Sequence, residues 1–204
     1  MGLTNRSSAT YVSIYKGKVT IRVPKGTPDS VTRTNKVQKE VSELQYDQIE
    51  GELISFNHRT NAAYNTIELL IDLEDAGRKY QIQVQWSSRY TREFFNVCHN
   101  IDITKPVTFR PYRFTPTDQP DKIISGWKLI QGGKNLLPKF ARGQLPELEK
   151  IKYKGQDQWD DTEQMQFLWT EAWNWGSKIG LFNTVAEITD DKLSPEDDIP
   201  EDFR

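Results

Sequence analysis

The feature that most restricts how this chain can fold is a period-two alternation of apolar and polar residues. It is clearest at residues 80–86, where three glutamines alternate with aromatic and aliphatic residues. An alternation of this kind is typical of a β-strand that buries one face and leaves the other face polar. Similar patterns predict further strands in the first two thirds of the chain, at residues 49–57, 65–73, 107–113 and 122–130.

A helical pattern interrupts these strands. Ser88 is placed to cap a helix over residues 89–99. The inward side of this helix is expected to carry Phe94, Phe95, Val97 and Cys98. The predicted order is therefore strand, strand, strand, helix, strand, strand, which is the element order of an OB-fold, a partly open five-stranded barrel. We expect a mainly β protein with an OB-fold core at residues 46–140, and other small barrels stay open as alternatives.

The segment before the expected barrel, residues 1–45, divides into two parts. Alternating residues on both sides of Lys16-Gly17 predict a β-hairpin, with strands at residues 11–15 and 18–23. Residues 24–45 are rich in Pro, Gly, Ser, Thr and Lys, and are expected to form a mobile basic connector.

The segments after the barrel differ in character. Residues 131–158 are rich in Gly, Pro and Lys, which is typical of an arm or linker. A tryptophan-rich helix is predicted at residues 161–182, packed on the barrel or against a second subunit, so that residues 141–188 form a linker and a helix. Residues 189–204 are acidic and poor in apolar side chains, so they are expected to be disordered.

The net charge of −2 is an average over blocks of opposite sign. Residues 6–39 carry +7 and residues 76–154 carry +9, whereas residues 40–75 carry −8 and residues 186–204 carry −6. This segregation indicates a basic surface for an anionic polymer, with an acidic tail able to compete for it. Two solvated faces and a disordered tail are the alternative interpretation of the charge alone.

The basic blocks also contain aromatic residues, most densely at residues 108–114. Proteins that bind single strands combine a basic groove with aromatic side chains on which bases stack, for about 1–3 kcal/mol per base. The candidate DNA-binding residues lie in or near the loops that line an OB-fold groove: Arg59, Tyr64, Arg78, Lys79, Gln83, Arg110, Tyr112, Arg113, Phe114, Lys122, Trp127 and Lys128. A core position is the alternative for Trp127. Because no base-specific pattern is visible, binding with little sequence preference is expected.

The end of the chain, Asp197-Asp198-Ile199-Pro200-Glu201-Asp202-Phe203, resembles the acidic tip of bacterial single-stranded-DNA-binding proteins. In that family a run of Asp is followed by Ile-Pro-Phe at the chain end. Here two acidic residues separate Pro from Phe, and Arg204 follows. The resemblance implies docking onto replication and recombination proteins through Asp197, Asp198, Ile199, Pro200 and Phe203. Acidic tails ending in Phe also occur in phage single-strand binders, so we expect a protein that is phage-encoded or otherwise belongs to a replication and recombination system.

Two other functions fit parts of the sequence. The first is a protein-interaction or virion structural module without nucleic-acid binding, in which the tryptophan-rich helix and the tail dock onto partners. The second is a metal-dependent nuclease, because the acidic residues Glu50, Glu52, Glu68 and Asp72 pair on strand faces. Acidic residues on a solvated strand face are the simpler interpretation of this second pattern.

The sequence lacks the motifs that other kinds of functional site require. One cysteine and two histidines are too few for a four-ligand Cys/His zinc site, no P-loop occurs, and neither histidine lies beside a nucleophile motif. We therefore expect neither an enzyme nor a bound cofactor. A single cysteine, no hydrophobic N-terminal segment and no apolar run of 18 residues predict a cytoplasmic protein, in the host cytoplasm if it is phage-encoded.

Overall fold

The computed structural model describes residues 9–35, 38–61, 66–153 and 156–182, which are mainly β structure. The strands are β1 Thr10–Tyr15, β2 Lys18–Val23, β3 Val31–Thr34, β4 Glu40–Tyr46, β5 Ile49–Asn61, β6 Thr66–Asp75, β7 Arg78–Gln85, β8 Val107–Phe114, β9 Ile124–Gln131, β10 Lys134–Asn135, β11 Glu149–Tyr153 and β12 Gln156–Asp160. The helices are α1 Arg89–Val97, which a short 3-10 turn extends over Cys98–Asn100, and α2 Thr162–Lys178; a second 3-10 turn covers Arg142–Gln144. Neither α-helix in these ranges is long and apolar enough to cross a lipid bilayer.

Ten of the described strands form one open sheet in the order β10-β9-β8-β5-β6-β7-β1-β2-β4-β3. Neighbouring strands are antiparallel, except that β1 runs parallel to β7, with Val12 opposite Ile82. The hairpin β11–β12 is a separate two-stranded sheet. The sheet does not close, so the five-stranded barrel expected from the sequence is not confirmed, whereas the mainly β class, the N-terminal hairpin and the C-terminal helix are.

The long strand β5 keeps its apolar residues on one face by means of a β-bulge. Its register with β6 shifts between Leu53 and Ser55, so that Ile54 is the extra residue. In a regular strand, residues three positions apart point to opposite faces, yet Leu53 and Phe56 are both buried. The extra residue of the bulge shifts the alternation by one position, so that both side chains point to the same face. Phe56 then packs against Phe94 of α1, with ring centroids 5.2 Å apart.

The two helices cover the apolar face of the sheet. The side chain of Ser88 accepts a hydrogen bond from the Thr91 N–H, and so caps α1 as predicted. Leu168 and Ala172 of α2 are fully buried, and the Trp169 ring lies 5.3 Å from that of Trp86. The expectation that the tryptophan-rich helix packs on the β core is therefore confirmed.

Two segments expected to be irregular contain strands. Residues 24–45, predicted as a mobile connector, contain β3 and most of β4, and residues 131–158 contain β10, β11 and part of β12. The strand β4 is polar, but it pairs with β2 and β3, and its Glu43 accepts two hydrogen bonds from Arg33, at 3.0 and 2.8 Å. Because β4 is held by cross-strand pairing and by this ion pair rather than by burial of one apolar face, its sequence lacks the alternation that predicts a strand.

Candidate nucleic-acid interface

Strand β8 carries the arginine- and aromatic-rich segment singled out in the sequence. Val107 and Phe109 are buried, whereas Arg110 is exposed and Phe114 is 51% exposed. The Arg110 guanidinium donates from Nε and Nη2 to the side-chain oxygen of Gln48, at 2.9 and 2.6 Å. Lys128 of β9 is opposite Arg110 in the register. Two cationic side chains therefore lie side by side at this end of the sheet.

The turn between β1 and β2 packs against the end of β8. Lys16 and Gly17 both have positive φ, at 50° and 76°. A Cβ placed on Gly17 would lie only 2.8 Å from both the Cβ and the backbone N of Arg113. The absence of a side chain at Gly17 thus allows the turn to approach β8, and it brings Lys16 and Lys18 toward Arg113.

Lys18 and Arg110 are both close to the carboxylate of Asp47. The Lys18 ammonium group forms an ion pair with Asp47, whose pKa is lowered by this contact and, to a smaller extent, by Arg110. We call the resulting cluster the β8 rim; its members are Lys16, Lys18, Arg110, Tyr112, Arg113, Phe114 and Lys128. Sequence reasoning missed the two lysines because the hairpin and β8 are far apart in the chain. The only local signal is a tight turn with lysine on both sides of a glycine.

Tyr112 is held in the β8 rim by a carboxylate of α1. Its hydroxyl donates to Glu93 Oε1 at 2.9 Å, and Arg89 Nε donates to the same oxygen at 2.7 Å. The backbone N–H of Trp127 donates to Glu93 Oε2 at 2.8 Å. Burial, together with the Glu93 charge, raises the pKa of Tyr112 to about 12. The phenol therefore stays neutral and oriented, with its ring 6.0 Å from that of Phe114.

A different surface lies on the polar face of β5, β6 and β7, which we call the central face. Arg59 is paired with Glu68 at 2.6 Å, about 25 Å along β5 from the residues that pair with β8. Asp72 accepts hydrogen bonds from Ser55 and from Gln81, at 2.6 and 2.9 Å. Gln83 in turn donates to Gln81 at 3.2 Å. Arg59 and Gln83 therefore lie among carboxylates, which repel phosphate, and the structure does not bring them to the β8 rim.

The remaining candidate residues from the sequence lie at different places. Arg78 and Lys79 are exposed in the β6–β7 hairpin, where the register pairs them with Asp75 and Glu74. Lys122 is exposed in the loop before β9 and adjoins the β8 rim, because Ile124 pairs with Phe114. Tyr64 and the tail lie outside the described residues, and so do the predicted partner-binding residues Asp197, Asp198, Ile199, Pro200 and Phe203.

Trp127 requires a correction, because it is a core residue. Its side chain is 3% exposed, and its ring lies 5.2 Å from that of Phe109 and 5.3 Å from that of Tyr90, both in edge-on contact. Trp127 shares the inward face of β9 with Leu129, which is also buried. It is therefore not accessible for stacking on a base.

Three of the four acidic residues considered for a nuclease, Glu50, Glu68 and Asp72, form hydrogen bonds with other side chains. Glu50 accepts a hydrogen bond from Thr108, and Glu68 and Asp72 hold the contacts described above. Glu52 is opposite Glu74 in the register of β5 and β6. Within the ranges that the structure describes, no group of three or more His, Cys, Asp or Glu residues is arranged to hold a metal ion.

Comparisons with models of protein families, with curated proteins and with solved structures give no significant match. The function of the chain is therefore inferred from its own residues and their geometry.

Proposed function

We propose that this protein binds single-stranded DNA through the β8 rim, with little sequence preference, and protects the strand during replication or recombination. The observation that carries the proposal is that the β1–β2 turn, with Lys16 and Lys18, packs on β8, the strand that carries Arg110, Tyr112 and the exposed ring of Phe114, while Lys128 of β9 is opposite Arg110. Cationic side chains bind the phosphate backbone, and exposed aromatic rings stack on bases of any kind.

The strand order also supports this proposal. The neighbours β9-β8-β5-β6-β7, with α1 between β7 and β8, follow the order in which OB-fold strands are arranged. OB-folds bind oligonucleotides with loops that include the connection between their fourth and fifth strands. The equivalent connection here joins β8 to β9, carries Lys122 and adjoins the β8 rim.

In the same proposal the acidic tail recruits replication and recombination proteins. Its support is the sequence resemblance of residues 197–203 together with the charge of −6 over residues 186–204. A tail of that charge competes with DNA for a basic surface. Deletion of residues 189–204 is therefore expected to keep or increase DNA affinity while abolishing partner binding.

The proposal is tested by titrating fluorescent oligo-dT at about 50 and 200 mM salt and measuring anisotropy. Affinity is expected to fall by tens of fold or more over this range if several phosphates are neutralised. The double variant Arg110→Ala/Arg113→Ala should bind more weakly and with a smaller salt dependence. Its charge-matched control is Lys25→Ala/Lys134→Ala, because both lysines are exposed, Lys25 in the turn that follows β2 and Lys134 in β10, and neither is a member of the β8 rim. A wild-type chain without salt-sensitive binding contradicts the proposal and favours a protein-interaction module.

A further inference from the structure

A second group of aromatic and basic side chains lies on the hairpin β11–β12, outside the β8 rim. In its register Lys150 is opposite Trp159 and Lys152 is opposite Asp157, so these side chains share one face. The Trp159 side chain is 66% exposed, and both lysines are exposed. An exposed tryptophan beside lysines is the combination that single-strand binders use for stacking and phosphate contact.

The hairpin is joined to the β8 rim through α1. Asp161, two residues after Trp159, forms an ion pair with Arg92 of α1. Gln164 Nε2 donates to the carbonyl of Pro146 at 2.6 Å, which fastens the segment before the hairpin to α2. Arg92 directly precedes Glu93, the residue that holds Tyr112. The consecutive residues Arg92 and Glu93 of α1 thus connect the end of the hairpin with Tyr112 of the β8 rim.

Two arginines of α1 lie near this connection, and each is paired with a carboxylate, Arg89 with Glu93 and Arg92 with Asp161. Arg89 and Arg92 are close enough for the charge of Arg89 to lower the pKa of Arg92, although burial is the larger cause. Because both ion pairs are partly exposed, a DNA phosphate that approaches from the β8 rim can compete with these carboxylates for the arginines.

We propose that the β11–β12 hairpin is a second contact for the same DNA strand, in which Trp159 stacks on a base and Lys150 and Lys152 contact flanking phosphates. This inference rests on the proposed function and extends the interface to a longer footprint. Lys150 is paired with Asp157 at 2.5 Å, but both side chains are about half exposed. Exposed pairs of this kind are weak, so a phosphate can replace the carboxylate.

The test compares oligo-dT of about 6 and about 16 nucleotides, lengths that span the range of OB-fold sites. Trp159→Ala is expected to weaken binding of the long oligonucleotide by about 5- to 150-fold, the loss of one stacked base, and to leave the short one unchanged. Trp159→Phe should retain most of the affinity, because phenylalanine also stacks. Ile151→Ala is the matched control, since Ile151 lies on the opposite face of the same hairpin and is 38% exposed.

The outcomes separate this inference from the proposed function. Loss of long-oligonucleotide affinity in Trp159→Ala alone, with Ile151→Ala unchanged, supports the inference. Equal affinities of wild type and Trp159→Ala at both lengths, with binding lost in Arg110→Ala/Arg113→Ala, overturn it and leave the β8 rim as the interface. A change of oligomeric state in Trp159→Ala with unaltered DNA affinity also overturns it, because the hairpin is then a contact between copies of the chain. If wild type binds neither oligonucleotide, both proposals fail.

Discussion

Replacing Gly17 by alanine should destabilise the protein more than the same replacement at Gly77, although the two backbones are almost identical. Each glycine is the second residue of a two-residue turn, with φ angles of 50° and 76° at Lys16-Gly17 and of 48° and 78° at Ala76-Gly77. Alanine at such an angle costs about 1–2 kcal/mol in either turn. The contribution of backbone conformation therefore cancels in the comparison.

The surroundings of the two turns differ. Nothing lies within 4 Å of a Cβ added to Gly77, whereas a Cβ on Gly17 would lie 2.8 Å from the backbone N of Arg113. Arg113 is held in β8, opposite Ser125 of β9, so its backbone cannot withdraw without disturbing that pairing. Overpacking of this kind costs about 1–3 kcal/mol. We expect Gly17→Ala to lower the free energy of unfolding by about 2–5 kcal/mol, and Gly77→Ala by about 1–2 kcal/mol.

Equilibrium urea unfolding, followed by far-UV circular dichroism, measures both losses. Oligo-dT affinity supplies a second readout, because displacement of the β1–β2 turn removes Lys16 and Lys18 from the β8 rim. Gly17→Ala should weaken DNA binding under conditions in which both variants are folded, and Gly77→Ala should not. Equal losses of stability in the two variants would refute the close packing of the turn on β8.

Three further predictions follow from other contacts. Tyr112→Phe removes the hydrogen bond to Glu93 and should lower the free energy of unfolding in urea by about 0.5–1.5 kcal/mol. The phenyl ring of the variant keeps the stacking surface, so DNA affinity should change little. A large loss of DNA affinity would contradict a purely positioning role for the hydroxyl. Arg33→Met leaves Glu43, which is 1% exposed, without its two hydrogen bonds from Arg33, and should lower the free energy of unfolding by about 3–5 kcal/mol. The control Lys25→Met breaks an exposed pair with Glu40 and should leave the unfolding midpoint unchanged. Burial and the nearby Lys139 lower the pKa of His99, and only Glu171 and backbone contacts oppose this. The unfolded chain therefore binds the proton more readily, and stability should fall as the pH drops below about 6.5 toward the pKa of His99 in the folded protein. Thermal unfolding should show this loss in wild type and a smaller loss in His99→Gln.

The sequence predicted the strands that bury one face. The strand expected at residues 80–86 is Arg78–Gln85, and the helix expected at residues 89–99 is Arg89–Val97 with the 3-10 turn that follows it. Such elements are readable because burial imposes a period on the residues themselves. The strands β3, β4, β11 and β12 are polar and are stabilised by cross-strand pairing, β3 with β4, β4 also with the more distant β2, and β11 with β12, so their sequences look like connectors.

The candidate interface shows the same division. Residue types alone determined that β8 would bring arginines and aromatic rings to one short segment, and that acidic and basic residues would occupy separate blocks. Only the tertiary structure decided that Arg59 is neutralised by Glu68, that Trp127 is a core residue and that the β1–β2 turn adds two lysines beside Arg113. The physical reason is that burial and ion pairing depend on which strands become neighbours. Period and composition are local properties of a segment, whereas the neighbours of a strand are set by contacts between segments far apart in the chain.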